Sequence, residues 1–417
     1  MRSDYTNQTE KKKRNLLPKL LILIFVLAVA IAAEVYHSYR TVERSLNVEF
    51  LGDSPVLEIG EKRSSMSCIS SAVGDVEPAA EYLDTDTYGD KTMTYTVTKP
   101  MYGGLLKPSK EYKFSYSVKD NVKPTMLWSG DGIILEKGTE FDIKNVIGYG
   151  DNADPEPTVE YKGKVDTDKI GEYPLHVTVT DESGNSIDWD MTVEVAESIP
   201  TYIDSDSSQR TPFADYLASY AGDGKSVGID VSAWQDDIDF NKVKEAGCDF
   251  VMIRIGYTDE DGLVLDKCYE QNIKRATEAG LRVGLYMFSY DNSEEAVRKA
   301  AREVVDKLGG RELDLPIAFD WEDFSLFQHY KMSFTTLNNL YDVFAEEVGK
   351  SGYDCMLYGS KNYIESVWEK TDKRPIWLAH YTDKTDYNGP YKMWQLSSTG
   401  GIDGISGYVD VNVLYEK

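Results

Sequence analysis

Cysteine and histidine are both scarce, four of each in 417 residues. Four cysteines cannot build a disulfide framework over a chain this long. His37, His176, His329 and His380 are too dispersed for the spacing of a zinc site. Positive charge is the next shortage: Asp and Glu outnumber Lys and Arg 71 to 45, for a formal net charge of −26. Phosphate recognition needs clustered Lys and Arg, so no nucleic-acid partner is expected. No Gly-x-Ser-x-Gly accompanies His329 or His380, which argues against a Ser/His/Asp hydrolase. Gly224-Lys225-Ser226 ends like a phosphate-binding loop, but Ser219 stands where its first glycine belongs and a strand follows instead of a helix. Asp259-Glu260-Asp261-Gly262 lacks the remaining ligands of a calcium loop and reads as a solvated acidic turn. No cofactor is expected, and a metal held by carboxylates alone is disfavoured. What the chain has in plenty is aromatic side chains, with 29 Tyr, 13 Phe and 7 Trp, and a hydrophobic content of 41%. That is ample for globular cores, and the length suggests about three domains.

The N-terminus points to export. Residues 1–19 hold six basic and two acidic side chains, a local charge of +4 in a strongly acidic protein. An uncharged apolar run follows from Leu20 to Ala33 and stops at Glu34. Residues 16–36 therefore read as a membrane-spanning signal anchor, with 1–15 as a basic cytoplasmic tail and the remainder outside the cell. The alternative is a cleaved signal peptide, because Ala28-Val29-Ala30 and Ala30-Ile31-Ala32 both resemble cleavage sites. Cys68 stands alone in the N-terminal part of the exported region, whereas Cys248, Cys268 and Cys355 lie in the C-terminal part in apolar or helical contexts, and burial of these three as small hydrophobes is expected. A Cys248–Cys268 bridge stays open.

Residues 46–196 alternate short strand-like runs with Gly, Asp, Pro and Asn. An internal repeat appears at an offset of 82 residues. Leu83-Asp84-Thr85-Asp86-Thr87-Tyr88-Gly89 corresponds to Val165-Asp166-Thr167-Asp168-Lys169-Ile170-Gly171, each followed by a Thr/Val strand. Two β-sandwich modules are expected, 46–120 and 121–196. The run from Gly171 to Asn185, with Val177-Thr178-Val179-Thr180-Asp181-Glu182-Ser183-Gly184-Asn185, resembles bacterial Ig-like surface modules. The expected role for both modules is that of a spacer. Residues 197–226, poor in large apolar side chains and rich in Ser and Asp, read as a linker with a short helix over 213–220.

From residue 227 the pattern changes to strand–helix alternation, with strands expected near 228–234, 250–256, 283–288, 316–321, 354–358, 375–380, 392–396 and 409–415. Helices are expected at 268–279, 294–308 and 335–350. Repeated βα units imply a parallel sheet, and eight strands in so short a stretch suggest a compact α/β TIM-like barrel. Active sites in such barrels lie at the C-terminal strand ends. Asp230 ends the first strand, Asp320 and Glu322 the fourth, and Asp410 lies on the last. Strand alternation puts Asp320 and Glu322 on one face, and barrel closure puts Asp410 beside Asp230. Four carboxylates in one mouth push at least one pKa upward, which supplies an acid near neutral pH. A glycosidic oxygen needs such an acid, and an oxocarbenium-like transition state needs a neighbouring anion. Aromatics on the same strand ends (Tyr286, Phe288, Trp377, Tyr381, Trp394) suit the apolar faces of sugars, and Gln395 suits hydroxyl or acetamido groups. Barrel-core packing is the competing reading for Phe288 and is expected for Trp321.

Seven stretches, in order, resemble the family-25 glycoside hydrolases, the muramidases. They are Gly228-Ile229-Asp230-Val231-Ser232-Ala233-Trp234-Gln235, Asp249 to Tyr257, Gly284-Leu285-Tyr286-Met287-Phe288-Ser289, Asp320-x-Glu322, Trp377-Leu378-Ala379-His380-Tyr381, Met393-Trp394-Gln395 and Val409-Asp410-Val411-Asn412. The resemblance implies a barrel of five βα units followed by three strands. It also implies cleavage of the β-1,4 bond between N-acetylmuramic acid and N-acetylglucosamine in peptidoglycan. By motif, Glu322 becomes the general acid and Asp320, Asp230 and Asp410 its anionic surround, with Arg254 and Asn412 joining the aromatics as substrate contacts. Met287 and Asp291 depart from the family pattern, which bears on subsite preference. Double displacement, inversion and participation of the substrate's own acetamido group all stay open, the last being favoured. The rival readings are a glycan-binding surface protein without activity and a hydrolase of another N-acetylated polymer such as chitin.

Overall fold

The structure is a computed structural model that describes residues 4–199, 210–222 and 224–416. The acidic run 204–208 of the expected linker and the first three residues of the expected basic tail lie outside the described residues. The chain divides into two compact units, Met1–Asn121 and Val122–Lys417.

The second unit holds a closed ring of eight strands. In chain order these are β1 (Lys225–Val231), β2 (Phe250–Asp259), β3 (Arg282–Phe288), β4 (Ile317–Asp320), β5 (Cys355–Ser360), β6 (Ile376–Ala379), β7 (Met393–Gly401) and β8 (Val409–Tyr415). Neighbours from β1 through β7 are parallel, whereas β8 runs antiparallel to both β7 and β1 and closes the ring. Both faces of these strands are covered, which is why Phe250-Val251-Met252-Ile253 is continuously apolar rather than alternating. Strand parity divides the apolar residues into two cores. Phe250, Met252, Ala318, Met356, Trp377, Met393 and Leu414 fill the barrel interior. Val251, Ile253, Leu285 and Phe319 face outward into the layer formed with the helices.

Those helices are α1 (Phe240–Glu245), α2 (Tyr269–Glu278), α3 (Glu294–Leu308), α4 (Phe334–Gly349) and α5 (Lys361–Ser366). In α3 the apolar face is Val297, Ala300, Ala301, Val304 and Leu308, a helical spacing. Its first turn is capped by the Ser293 side chain, and Gly309 at φ 57 ends it in the left-handed conformation that favours glycine. Helix α4 lays Phe344 against Phe319 with ring centroids 5.3 Å apart, directly behind Asp320.

The solvated acidic turn is present as expected, while the linker and cysteine expectations are corrected. The acidic turn over Asp259–Gly262 is the tip of a hairpin whose return strand, Gly262–Leu265, pairs antiparallel with β2. Part of the expected linker belongs to the barrel: Thr211–Pro212 adds to β7, and helix Phe213–Tyr220 buries Phe213 and Tyr216 in the outer core. All four cysteines are free, and Cys268 and Cys355 are only partly buried, so the Cys248–Cys268 bridge is absent.

Residues 122–199 form a four-stranded sheet in the order Thr158–Lys162, Gly171–Thr180, Ser186–Ala196, Ile134–Glu136, beside the pair Thr125–Trp128 and Gly148–Gly150. Val177, Val179, Val193 and Tyr149 fill the space between. In the first unit a four-stranded sheet has the same connectivity. Asp75–Pro78, Gly89–Thr98 and Ser109–Lys119 pair antiparallel in succession, and Val56–Glu58 adds in parallel to the last. The sequence repeat thus marks one topology used twice, since Gly89 and Gly171 each open the long second strand. Ahead of it runs helix Asp4–Ser45, whose Leu17–Ser45 portion is long and apolar enough to cross a bilayer.

Truncating Phe344 to Ala should destabilise the second unit by about 3–5 kcal/mol, because a fully buried ring is replaced by a cavity. Denaturant unfolding followed by tryptophan fluorescence measures it.

Candidate active site

Register and parity converge on the barrel mouth. Asp230, near the C-terminal end of β1, is the direct register partner of Asp410 on β8. Asp320 is the last residue of β4 and lies between Phe288 of β3 and Tyr358 of β5. Strand alternation therefore stops before Glu322, which sits in the irregular segment just beyond. What places Glu322 is Trp321. Its indole is fully buried, ringed by Phe324, Phe327 and Tyr330 at centroid distances of 4.9–5.5 Å, and Nε1 donates to the Asp291 carbonyl at 3.1 Å. The expected core role of Trp321 is its observed one.

The floor of the mouth is a chain of hydrogen bonds. Asp230 Oδ1 accepts from Asn412 Nδ2 at 2.7 Å and from Gln395 Nε2 at 2.9 Å. Trp377 Nε1 donates to Asn412 Oδ1 at 2.8 Å, and the hydroxyls of Tyr358 and Tyr381 donate to Gln395 Oε1 at 2.8 and 3.0 Å. The amide orientations of Gln395 and Asn412 are fixed by these partners. Arg254 is the cation of the site, but its Nε and Nη2 both bind Asp266 Oδ2, at 2.9 and 2.8 Å. Asp266 in turn accepts from the Ala233 and Cys268 amides. Arg254 is thus held beside the acids rather than neutralising them.

All four carboxyls titrate high. Burial, opposed by the Asn412 and Gln395 amides, raises Asp230 to about 6. Burial and then the Asp230 charge raise Glu322 to about 7. Burial, Asp230 and Glu322 raise Asp410 to about 8. Asp320 is pushed well above the carboxylate range by burial, then by Glu322 and Asp230, against a smaller pull from Arg254. Asp320 and Glu322 act as one coupled pair that retains protons near neutral pH. Such a pair can protonate a leaving oxygen and present an anion in the same cleft.

The aromatics sort differently from expectation. Tyr381, 57% exposed, and half-buried Phe288 lie at the rim, and Tyr286 is partly buried against the inner core. Trp377 is 1% exposed, its ring edge-on to Tyr286, so it supports Asn412 instead of meeting a sugar face. Trp394 is not in the site. Gln395 points at Asp230, so its neighbour on the strand points outward, where Trp394 packs edge-on against Tyr220 and donates to the His380 carbonyl. Core packing for Phe288 is likewise corrected, since Phe288 lines a cleft with Trp234, Arg254, Tyr257, Lys267 and Tyr290. Sequence reasoning passed over Trp234, 83% exposed, together with Tyr257, Tyr290 and Tyr358. A bulky indole in the strand-end run Ser232-Ala233-Trp234-Gln235 was the available signal for the first.

A closed barrel whose mouth holds protonated carboxyls under an aromatic rim has the chemistry of a glycoside hydrolase. Residues 229–405 match the family model Glycosyl hydrolases family 25, and residues 127–195 match Bacterial surface protein, Ig-like domain. The C-terminal barrel is accordingly a family-25 glycosyl hydrolase domain, with a bacterial Ig-like domain before it. The chain is 30% identical over 192 residues to the autolytic lysozyme of Clostridium acetobutylicum, covering 45% of this chain and 56% of that one. It is 30% identical over 198 residues to lysozyme M1 of Streptomyces globisporus, covering 44% and 66%. A family-25 glycosyl hydrolase structure from Bacillus anthracis aligns at 22% identity with a TM-score of 0.41, over 48% of this chain and 90% of that one. The chain thus spans about half to two thirds of the two lysozymes' length.

Acids whose folded pKa lies above the unfolded value bind more protons in the folded state, so they lower stability as pH rises through that interval. Asp410→Asn should therefore raise the unfolding temperature at pH 8 and change it little near pH 4. Calorimetry at the two values measures the difference.

Proposed function

We propose that the chain is a cell-surface peptidoglycan hydrolase that cleaves the β-1,4 bond between N-acetylmuramic acid and N-acetylglucosamine during wall remodelling. The observation that carries this reading is the coupled, proton-holding pair Asp320 and Glu322 at the end of β4 in a family-25 domain. Glu322, the less buried of the two, is the general acid that protonates the leaving oxygen. The pair shares its proton, and when Glu322 holds it Asp320 is the anion beside it. Its Oδ1 makes no hydrogen bond within the protein, which suits it to receive the acetamido N–H of the substrate and to orient that group for attack on the anomeric carbon. Asp230 keeps the pair's affinity for protons high, and Asp410 stands opposite it on the neighbouring strand. Tyr286, Phe288, Tyr381, Gln395, Arg254 and Asn412 line or brace the glycan cleft, and Trp234 extends it.

In domain terms we read 1–15 as a cytoplasmic tail, 16–36 as a retained signal anchor, 46–120 and 121–196 as two Ig-like sandwiches, and 227–417 as five βα units followed by three strands. Helix Leu17–Ser45 supports the anchor, and the shared strand connectivity supports the pair of sandwiches. Tethering confines cutting to the wall near the membrane and raises the local concentration of enzyme there.

Purified peptidoglycan incubated with the full-length protein should release fragments ending in reducing N-acetylmuramic acid, identified by mass spectrometry. Glu322→Gln should lower the rate by roughly a hundredfold or more. NMR of the nascent product should find the β anomer retained. An inverted product would overturn the acetamido route, and equal release by the variant would remove Glu322 from the role of acid.

A further inference from the structure

The Ig-like module 122–199 does more than precede the barrel, for the two are joined within one compact unit, Val122–Lys417. The junction falls on the segment that follows Glu322. Gln328, 9% exposed, spends its side chain on the module's backbone: Nε2 donates to the carbonyls of Lys144 at 2.7 Å and Ile147 at 2.9 Å, and Oε1 accepts from the Tyr149 amide at 3.3 Å. Three of its four hydrogen-bonding positions are thereby filled by a domain more than 170 residues away in sequence. The module's strand approaches so closely that only glycine fits. A Cβ on Gly148 would lie 2.7 Å from the carbonyl oxygens of Phe324 and Ser325, and one on Gly150 would lie 2.6 Å from the rings of Phe327 and Phe334.

The segment just after that strand caps a barrel helix. The first amides of α4, Phe334 N and Thr335 N, belong to the set that a helix leaves without intrahelical partners. They donate to the carbonyls of Asp151 at 2.8 Å and Asn152 at 3.1 Å, and the Thr335 hydroxyl also reaches Asn152 O. Beyond this edge, Lys331 pairs with Glu156 at 3.0 Å.

The groups that the module grips lie in and around the aromatic cluster packed on Trp321. Phe324 and Phe327 contact its ring, Tyr330 contacts it while its hydroxyl donates to Asp323 Oδ2 at 2.7 Å, and Phe327 passes the contact on to Phe334. Trp321 and Asp323 flank Glu322 in the chain, where no strand hydrogen bonds hold it.

We propose that the Ig-like module is a positioning part of the catalytic domain, and that Gln328 is the positioning residue through which it holds the Trp321–Tyr330 segment and fixes Glu322 over Asp320. This rests on the muramidase reading above. A loosened segment would misplace the acid and admit water to it, and a displacement of about 1 Å is enough to cost two orders of magnitude in rate. Hydration would also lower the raised pKa of Glu322, so the activity that needs its proton would be lost at a lower pH.

The test uses the full-length protein and two independent ways of opening the junction: Gln328→Ala from the barrel side, and Gly148→Ala with Gly150→Ala from the module side. Hydrogen exchange at the Tyr149, Phe334 and Thr335 amides reports docking, and kcat, KM and the pH profile on solubilised peptidoglycan report the site. The expected result is a kcat lowered roughly tenfold or more, a KM within about twofold of wild type, and a basic limb moved to lower pH, each graded with the loss of protection. Unchanged kcat and pH profile in an undocked variant overturn the proposal. Protection retained in both variants overturns it equally, because these residues would then not hold the junction. If the wild type releases nothing from peptidoglycan, the muramidase reading fails and the positioning claim fails with it, whereas an active wild type indifferent to undocking sinks the positioning claim alone.

Discussion

The governing constraint is four carboxyl groups gathered at the mouth of one barrel beside an arginine already committed to Asp266. In water each would be ionised at neutral pH, but burial and mutual repulsion make full ionisation too costly, and protons stay. The surrounding architecture keeps that arrangement from relaxing. The β1–β8 register sets Asp410 opposite Asp230. Asn412 and Gln395 hold one Asp230 oxygen between them, braced by Trp377, Tyr358 and Tyr381. Arg254 would be the obvious means of neutralising the cluster, yet Asp266 engages two of its nitrogens. An arginine free to chelate Asp320 would lower the pKa values on which acid catalysis depends.

Rigidity beyond the strand ends has a different source. Glu322 lies outside the sheet ladder, and its neighbours are held by aromatic packing around Trp321 and by a domain boundary that closes on Gln328. Barrel strands therefore position Asp230, Asp320 and Asp410, while side-chain packing and the Ig-like module position the remaining acid. This division explains why the helix behind β4 is itself capped by carbonyls of the module.

Much of this was legible from residues alone. The eight strands, three of the five helices of the outer layer and the adjacency of Asp230 and Asp410 follow from periodicity and barrel closure, whereas the short helices Phe240–Glu245 and Lys361–Ser366 do not. Individual side-chain directions were less accessible. Trp394 and Gln395 are consecutive, so only one can face the mouth, and sequence carries no mark of which. Trp377 looks the same in sequence whether it meets a sugar or, as here, buries itself to donate to Asn412. The hairpin after β2 was concealed by acidic residues at its tip, and the docking helix Phe213–Tyr220 by the polar stretch before it. The module junction was least visible, because Gln328 reads backbone carbonyls and amides, which leave no trace in the identity of the residues supplying them.

The central claim is that Glu322 keeps its proton to near-neutral pH because of where it sits. Carboxyl carbon-13 NMR of glutamate-labelled full-length protein tests this directly, with Glu322→Gln used to assign the resonance. The account predicts a titration midpoint of about 7. A midpoint at the ordinary glutamate value of about 4.3 would contradict it.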